Sequence, residues 1–136
     1  MIEKTKLLIG RKEQADLPSF GLKNQLVKVD TGAYTSSIHV VSAKIINGTL
    51  SVQFSENDSQ LIEFDTWQTK KVRSSNGFMD ERYAVKGTIK LGEKTYKTFF
   101  TLTSRSRMRY PILLGRKFLN NRFIVDTSKI NVLSES

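Results

Sequence analysis

The sequence has no cysteine and a single histidine, His39. Without cysteine there is no disulfide, no thiol nucleophile and no thiolate metal site. A catalytic zinc needs about three protein ligands, mostly His, Cys, Asp or Glu, and one histidine with no His-Glu-x-x-His run leaves little to build it from. A Gly-x-x-x-x-Gly-Lys-Ser/Thr loop to cradle nucleotide phosphates is also missing. No metal and no cofactor are therefore expected. No apolar run reaches membrane-spanning length, and the segment 1–16 is too polar for a signal peptide. The expectation is a soluble, cytoplasmic protein with no membrane partner, and the lack of cysteine fits a reducing compartment.

The 136 residues are one domain's worth, with 38% hydrophobic residues and enough chain to bury a core. No linker, repeat or low-complexity stretch divides them, so residues 1–136 are read as a single domain. Lysine and arginine number 22 against 13 acidic residues, a net charge of +9. That excess favours acidic partners or simply keeps the surface solvated. Nucleic acid ranks last among such partners, because no recognition helix or stacking motif accompanies the charge.

The pattern along the chain is strand-like. Lys6 to Gly10 is a short apolar run ended by glycine. Gln25 to Asp30 alternates and runs into Thr31-Gly32. Ile38 to Ile46 is rich in β-branched residues, and Asn47-Gly48 is a strong hairpin signal before the return strand Thr49 to Phe54. Leu61 to Phe64 reads as another strand. Val72 to Val85 reads as a long hairpin with its tip at Ser74-Ser75-Asn76-Gly77. Alternation over Tyr83 to Leu91 and Tyr96 to Thr103 gives two more strands. An arginine-rich loop, Ser104 to Tyr110, precedes the apolar run Ile112-Leu113-Leu114. Arg116 to Asn121 is the one convincing helical turn, followed by strands at Phe123 to Val125 and Ile130 to Leu133. Many short strands with Gly and Asn turns predict an all-β closed barrel or sandwich with one short C-terminal helix.

One segment carries chemistry. In Val29-Asp30-Thr31-Gly32-Ala33 an apolar strand delivers a carboxylate to a tight turn. Gly32 is expected to permit a backbone geometry that a Cβ would forbid, and Ala33 is too small to block a cleft. Alone, Asp-Thr-Gly is also an ordinary turn sequence, since Asp and Gly favour turns for local reasons. The second element, Pro111-Ile112-Leu113-Leu114-Gly115-Arg116 followed by Lys117-Phe118-Leu119, changes its meaning. Together the two resemble the plan of retropepsins.

Four further runs narrow the resemblance: Leu8-Ile9-Gly10-Arg11-Lys12-Glu13, Thr35-Ser36-Ser37-Ile38-His39, Met108-Arg109-Tyr110 before Pro111, and Phe123-Ile124-Val125-Asp126. With them nearly the whole chain is similar to the bacterial family whose members are called ATP-dependent zinc proteases, a retropepsin-like family associated with RimK-type glutamate ligases. The residues of this chain support neither half of that label.

The resemblance implies an aspartic endopeptidase with Asp30, Thr31 and Gly32 as catalytic loop. Ala33 and the flap tip Ser75, Asn76 and Gly77 would contact substrate, while Leu114, Gly115 and Arg116 would support the loop. Arg116 would make ion pairs at a dimer interface. Such enzymes use two carboxylates that share a proton, one acting as base and the other as acid. This chain offers one Asp-Thr-Gly; Asp126-Thr127-Ser128 lacks the glycine and reads as a surface turn. The count then requires a homodimer with one Asp30 from each subunit. Peptides or proteins, glutamate-rich ones among them, are the expected substrates; Arg73, Arg82, Lys70, Lys71 and the alternating Arg105, Arg107 and Arg109 concentrate positive charge in the middle of the chain, and with the flap over the cleft some of them would lie near its mouth. His39 is expected to pack or hydrogen-bond structurally, and Trp67 to lie in the core or at its rim. The alternative is a retropepsin-fold module that binds peptides or regulates a partner without cleaving.

Overall fold

The computed structural model describes residues 5–73, 77–103 and 110–134. Among them are eleven strands and one four-residue α-helix. The strands are β1 (Leu7–Leu17), β2 (Leu22–Val29), β3 (Ser36–His39), β4 (Ser42–Ile46), β5 (Thr49–Gln53), β6 (Ile62–Phe64), β7 (Gln68–Arg73), β8 (Met79–Leu91), β9 (Lys94–Thr103), β10 (Ile112–Leu114) and β11 (Phe123–Ile130); the helix α1 is Arg116–Leu119, between β10 and β11.

The main sheet has the order β11-β1-β2-β10-β3-β9-β8-β7, and β1 also pairs with β8. That extra pairing, Ala15 with Leu91 and Asp16 with Lys90, closes a ring of six strands. A closed ring leaves no edge within itself, so the all-β barrel expectation holds. The core is the ring's interior. Ile9, Leu17, Val27, Ile38, Ile89, Phe100, Ile112 and Leu114 are at most 1% exposed. Trp67 packs partly buried against this core, as expected.

The Asn47-Gly48 hairpin forms as its sequence predicts. Ile46 pairs with Thr49, and Asn47 and Gly48 take φ of 52° and 77°. A two-residue loop with both φ positive is the turn that suits the twist of the flanking strands. It joins β4 to β5 in a separate three-stranded sheet with β6. The run from Ile38 to Ile46 is not one strand. At Val40 the N–H donates to Thr103 of the barrel, and at Val41 to Gln53 of the small sheet, so the chain changes sheets between neighbouring residues.

Two other expectations are corrected. Gly10 does not end the first strand. β1 runs through it to Leu17, because a Cβ there would collide with the Lys129 carbonyl of β11 and only glycine lets the two backbones approach. The final strands are one, β11, with turns over residues 132–134. β11 pairs parallel with β1 from Leu7↔Phe123 to Gly10↔Asp126, and the register shifts before Lys12↔Ile130. Asp126 therefore lies within a strand rather than in a surface turn.

The Glu13 carboxylate, fully buried, explains that irregularity. Its Oε2 accepts the N–H groups of Gly10 at 2.8 Å and Val132 at 2.9 Å, and its Oε1 accepts that of Leu133 at 3.1 Å. Buried charge is tolerated where hydrogen bonds replace water. Here they fasten the C-terminal turn to the first strand.

Candidate active site

Along β2, Val27 and Val29 are buried and Lys28 is exposed; Asp30, just past the strand, is half-buried. The ladder continues one step beyond the strand, where the Asp30 N–H donates to the Leu114 carbonyl at 2.8 Å. β10 makes this possible by entering between the two strands that flank the turn. It pairs parallel with β2 (Ile112↔Val27, Leu114↔Val29) and antiparallel with β3 (Ile112↔Ile38, Leu113↔Ser37). The aliphatic run expected to support the Asp-bearing loop is thus the strand inserted beside it.

The turn is tied at several points. The Ala33 N–H donates to the Asp30 carbonyl at 3.2 Å, and the Gly32 N–H donates to Asp30 Oδ1 at 3.1 Å. The first N–H groups of a helix have no partner inside it. In α1 those of Arg116 and Lys117 donate to the carbonyls of Ala33 (2.8 Å) and Tyr34 (2.9 Å). The Arg116 guanidinium donates to the Thr31 carbonyl at 3.0 Å and lies 5.8 Å from the centre of the Tyr34 ring. Arg116 braces the loop of its own chain, and among the described residues it makes no ion pair.

Gly115 is fixed by space. A Cβ would lie 2.6 Å from the Thr35 oxygen and 2.7 Å from the Tyr34 oxygen, both backbone. Gly32 differs from expectation. Its φ lies outside the left-handed region, and a Cβ would meet only Asp30 Oδ1, at an ordinary 3.4 Å. Within one chain its backbone does not require glycine; what it leaves open is space beside the carboxylate. Thr31 and Gly32 are exposed, and Ala33 is half-buried with both its N–H and its carbonyl committed to the turn.

The hairpin expected as a flap is β7 with β8, paired from Gln68↔Ala84 to Arg73↔Met79. Its tip falls between Arg73 and Met79, with Gly77 at φ +87°. Ser75 and Asn76, and likewise Arg105, Arg107 and Arg109, lie outside the described residues. His39 ends β3; its N–H donates to the Pro111 carbonyl at 2.7 Å, while its buried Nδ1 has no hydrogen-bond partner among the described residues. Among the described residues no three His, Asp or Glu side chains gather as a metal site. Asp126 is occupied locally. Its Oδ1 accepts the Ser128 hydroxyl at 2.6 Å and the Ser128 N–H at 3.0 Å. Those bonds, the hydroxyl first, hold its carboxyl below the usual range.

Sequence reasoning did not assign roles to Ser36 or Glu13. The buried Ser36 hydroxyl accepts the Gly115 N–H at 3.0 Å, linking β3 to the supporting strand. A small polar residue inside the alternating run was the only available signal.

A carboxylate at a strand end, braced by a late aliphatic-Gly strand inserted into a closed all-β barrel, defines the retropepsin-like class. The family model described as the retropepsin-like aspartic endopeptidase RimB matches residues 8–135, and the chain belongs to this RimB-like family. A protein of unknown function from Legionella pneumophila has the same fold, with a TM-score of 0.75 and 27% identity over 95% of this chain and 99% of that one. Two proteins named "Probable alpha-L-glutamate ligase" are similar in sequence. The one from Shewanella pealeana is 34% identical over 96% of this chain, and the one from Parasynechococcus marenigrum is 32% identical over 89%. The chain spans only about 30% of the length of these curated relatives, 30% and 28% respectively.

Proposed function

We propose that the protein is an aspartic endopeptidase that works as a homodimer, with Asp30 from each subunit forming the catalytic pair. The observation that carries this reading is the rigid Asp30 turn, locked by the Leu114 carbonyl, Gly115 and Arg116, with one such carboxylate in the chain. Two carboxylates brought together by a two-fold axis cannot both ionise, so one keeps a proton. The ionised member takes a proton from water, which attacks the scissile carbonyl. The protonated member donates to the carbonyl oxygen as it gains charge. The pair titrates as a unit. Gly32, with free space beside Oδ1, leaves room for the water and the second loop. The β7–β8 hairpin covers the bound peptide.

The preferred substrate is an acidic peptide, glutamate-rich chains in particular. The net charge of +9 supports this, as does the occurrence of similar sequence within longer proteins named for glutamate ligation. Asp30→Asn tests the whole reading: cleavage of a glutamate-rich peptide disappears while the thermal unfolding midpoint stays in place. Retained cleavage in Asp30→Asn would remove it, and so would full activity from a species of monomer mass. If the unsubstituted protein binds the peptide without cutting it, the non-catalytic alternative replaces it.

A further inference from the structure

Lys28 stands two residues before Asp30, and strand alternation puts both side chains on the outer face of the barrel. Lys28 is directly opposite Lys12 on β1 and in register with Leu113 on β10, which faces Ser37 on β3. One row of four side chains therefore crosses four strands beside the Asp30 turn. Like charges directly opposed on an antiparallel pair repel, so the two lysines cost the sheet stability. The Tyr110 ring offsets part of that cost. Lys12 Nζ lies 4.8 Å and Lys28 Nζ 5.9 Å from its centroid, within cation–π range. Among the described residues neither ammonium has a carboxylate within 4.0 Å; the ion pair found there joins Arg82 to Asp80.

Two cations gathered on one aromatic ring, without an anion from the described residues, present a receptor for an anion from outside. We infer that Lys12 and Lys28, backed by Tyr110, form a subsite for the side-chain carboxylate of a substrate residue next to the scissile bond. The position of that bond rests on the peptidase reading above. Two strand residues span about 7 Å, so the bound carboxylate belongs to a residue one or two away from the bond that faces Asp30. Leu113 and Ser37 extend the row and offer an aliphatic surface and a hydroxyl to the stem of a glutamate side chain. A glutamine of the same shape lacks the charge that the lysines recognise, so the subsite separates Glu from Gln.

The test measures binding of hexaglutamate and hexaglutamine peptides to the Asp30→Asn protein, with and without Lys28→Gln or Lys12→Gln, at low and high salt. A parallel Lys90→Gln protein removes a cation that pairs with Asp16 in the strand ladder, outside this row. The expected result is that hexaglutamate binds tighter by about tenfold or more. Lys28→Gln removes most of that preference and Lys12→Gln part of it, while Lys90→Gln keeps it. No preference, or one that survives Lys28→Gln, overturns the subsite. Cleavage by the unsubstituted protein is scored separately. If the lysine-dependent preference appears without any cleavage, the subsite stands and the peptidase reading falls. If cleavage is intact and the preference is absent, the reverse holds.

Discussion

The Gly115 N–H donates to the Ser36 hydroxyl across the seam between β10 and β3, and both residues are buried. This bond joins the supporting glycine to the strand that leaves the Asp30 turn. Ser36→Ala keeps the volume nearly unchanged but strands a buried N–H, which costs about 1–3 kcal/mol. The expected outcome is a lower unfolding midpoint in urea and, under the proposed peptidase function, a reduced kcat because the Asp30 turn loses a brace. Ser36→Thr, which restores the oxygen, recovers part of both. Equal stability of Ser36→Ala and the unsubstituted protein would show that the bond is incidental.

Gly115→Ala drives a Cβ into two backbone carbonyls that no rotamer change can move aside. The cost falls at or above the upper end of the roughly 1–3 kcal/mol of ordinary overpacking. Soluble yield and the urea midpoint both drop. Gly87→Ala gives a milder comparison at the other side of the core. Its Cβ meets the Phe20 ring, which stacks on Phe54 with centroids 4.5 Å apart. A side chain gives way more readily than backbone, so Gly87→Ala is the less damaging of the two.

Glu13→Gln puts an amide NH2 where a carboxylate oxygen now accepts backbone N–H groups, so donor faces donor. A loss of about 1–3 kcal/mol is expected, with faster hydrogen exchange at Val132 and Leu133 before the rest of the barrel. Glu13→Ala removes the acceptor altogether and is worse. Unchanged exchange at Val132 would mean that the carboxylate does not hold the C-terminal turn.

Asp126 titrates below the usual carboxylate range because Ser128 bonds its charged form. A group whose folded value is depressed favours the folded state above its unfolded value, and that contribution fades as pH falls through the folded one. Asp126 is half-buried and solvent screens its charge, so the effect on stability is small and the observable is the side-chain carboxyl resonance by NMR. Ser128→Ala moves that midpoint upward toward the ordinary value; an unmoved midpoint would place the cause elsewhere.

Much of the site was legible because its residues are constrained by local chemistry. Asp30 ends an alternating run, Gly115 closes an aliphatic one, and Asn47-Gly48 demands positive φ. Each signal is a few residues long. Contacts between distant segments left no such mark. Gly10 reads as a stop, and only the approach of Lys129 reveals why the strand continues through it. Glu13 looks like any exposed residue of an alternating strand until the C-terminal turn folds over it. Lys12 and Lys28 belong to separate strands, and nothing in the sequence says that they oppose each other beneath Tyr110. Resemblance gives Arg116 an inter-subunit role, and its hydrogen bond to Thr31 within the chain left no mark in the sequence.

The late arrival of β10 bears on how the protein is made. β2 and β3 flank the Asp30 turn, but neither pairs with the other; β10, synthesised some seventy residues after β3, must come between them. Pairings between segments so far apart in sequence form slowly. β1 likewise waits for β11 to cover its outer edge. A chain still emerging from the ribosome has its Asp30 but not the strand that fixes it. The Asp30 turn is thus assembled only when the barrel is nearly complete, and under the proposed function an unfinished chain has no means of cutting its neighbours.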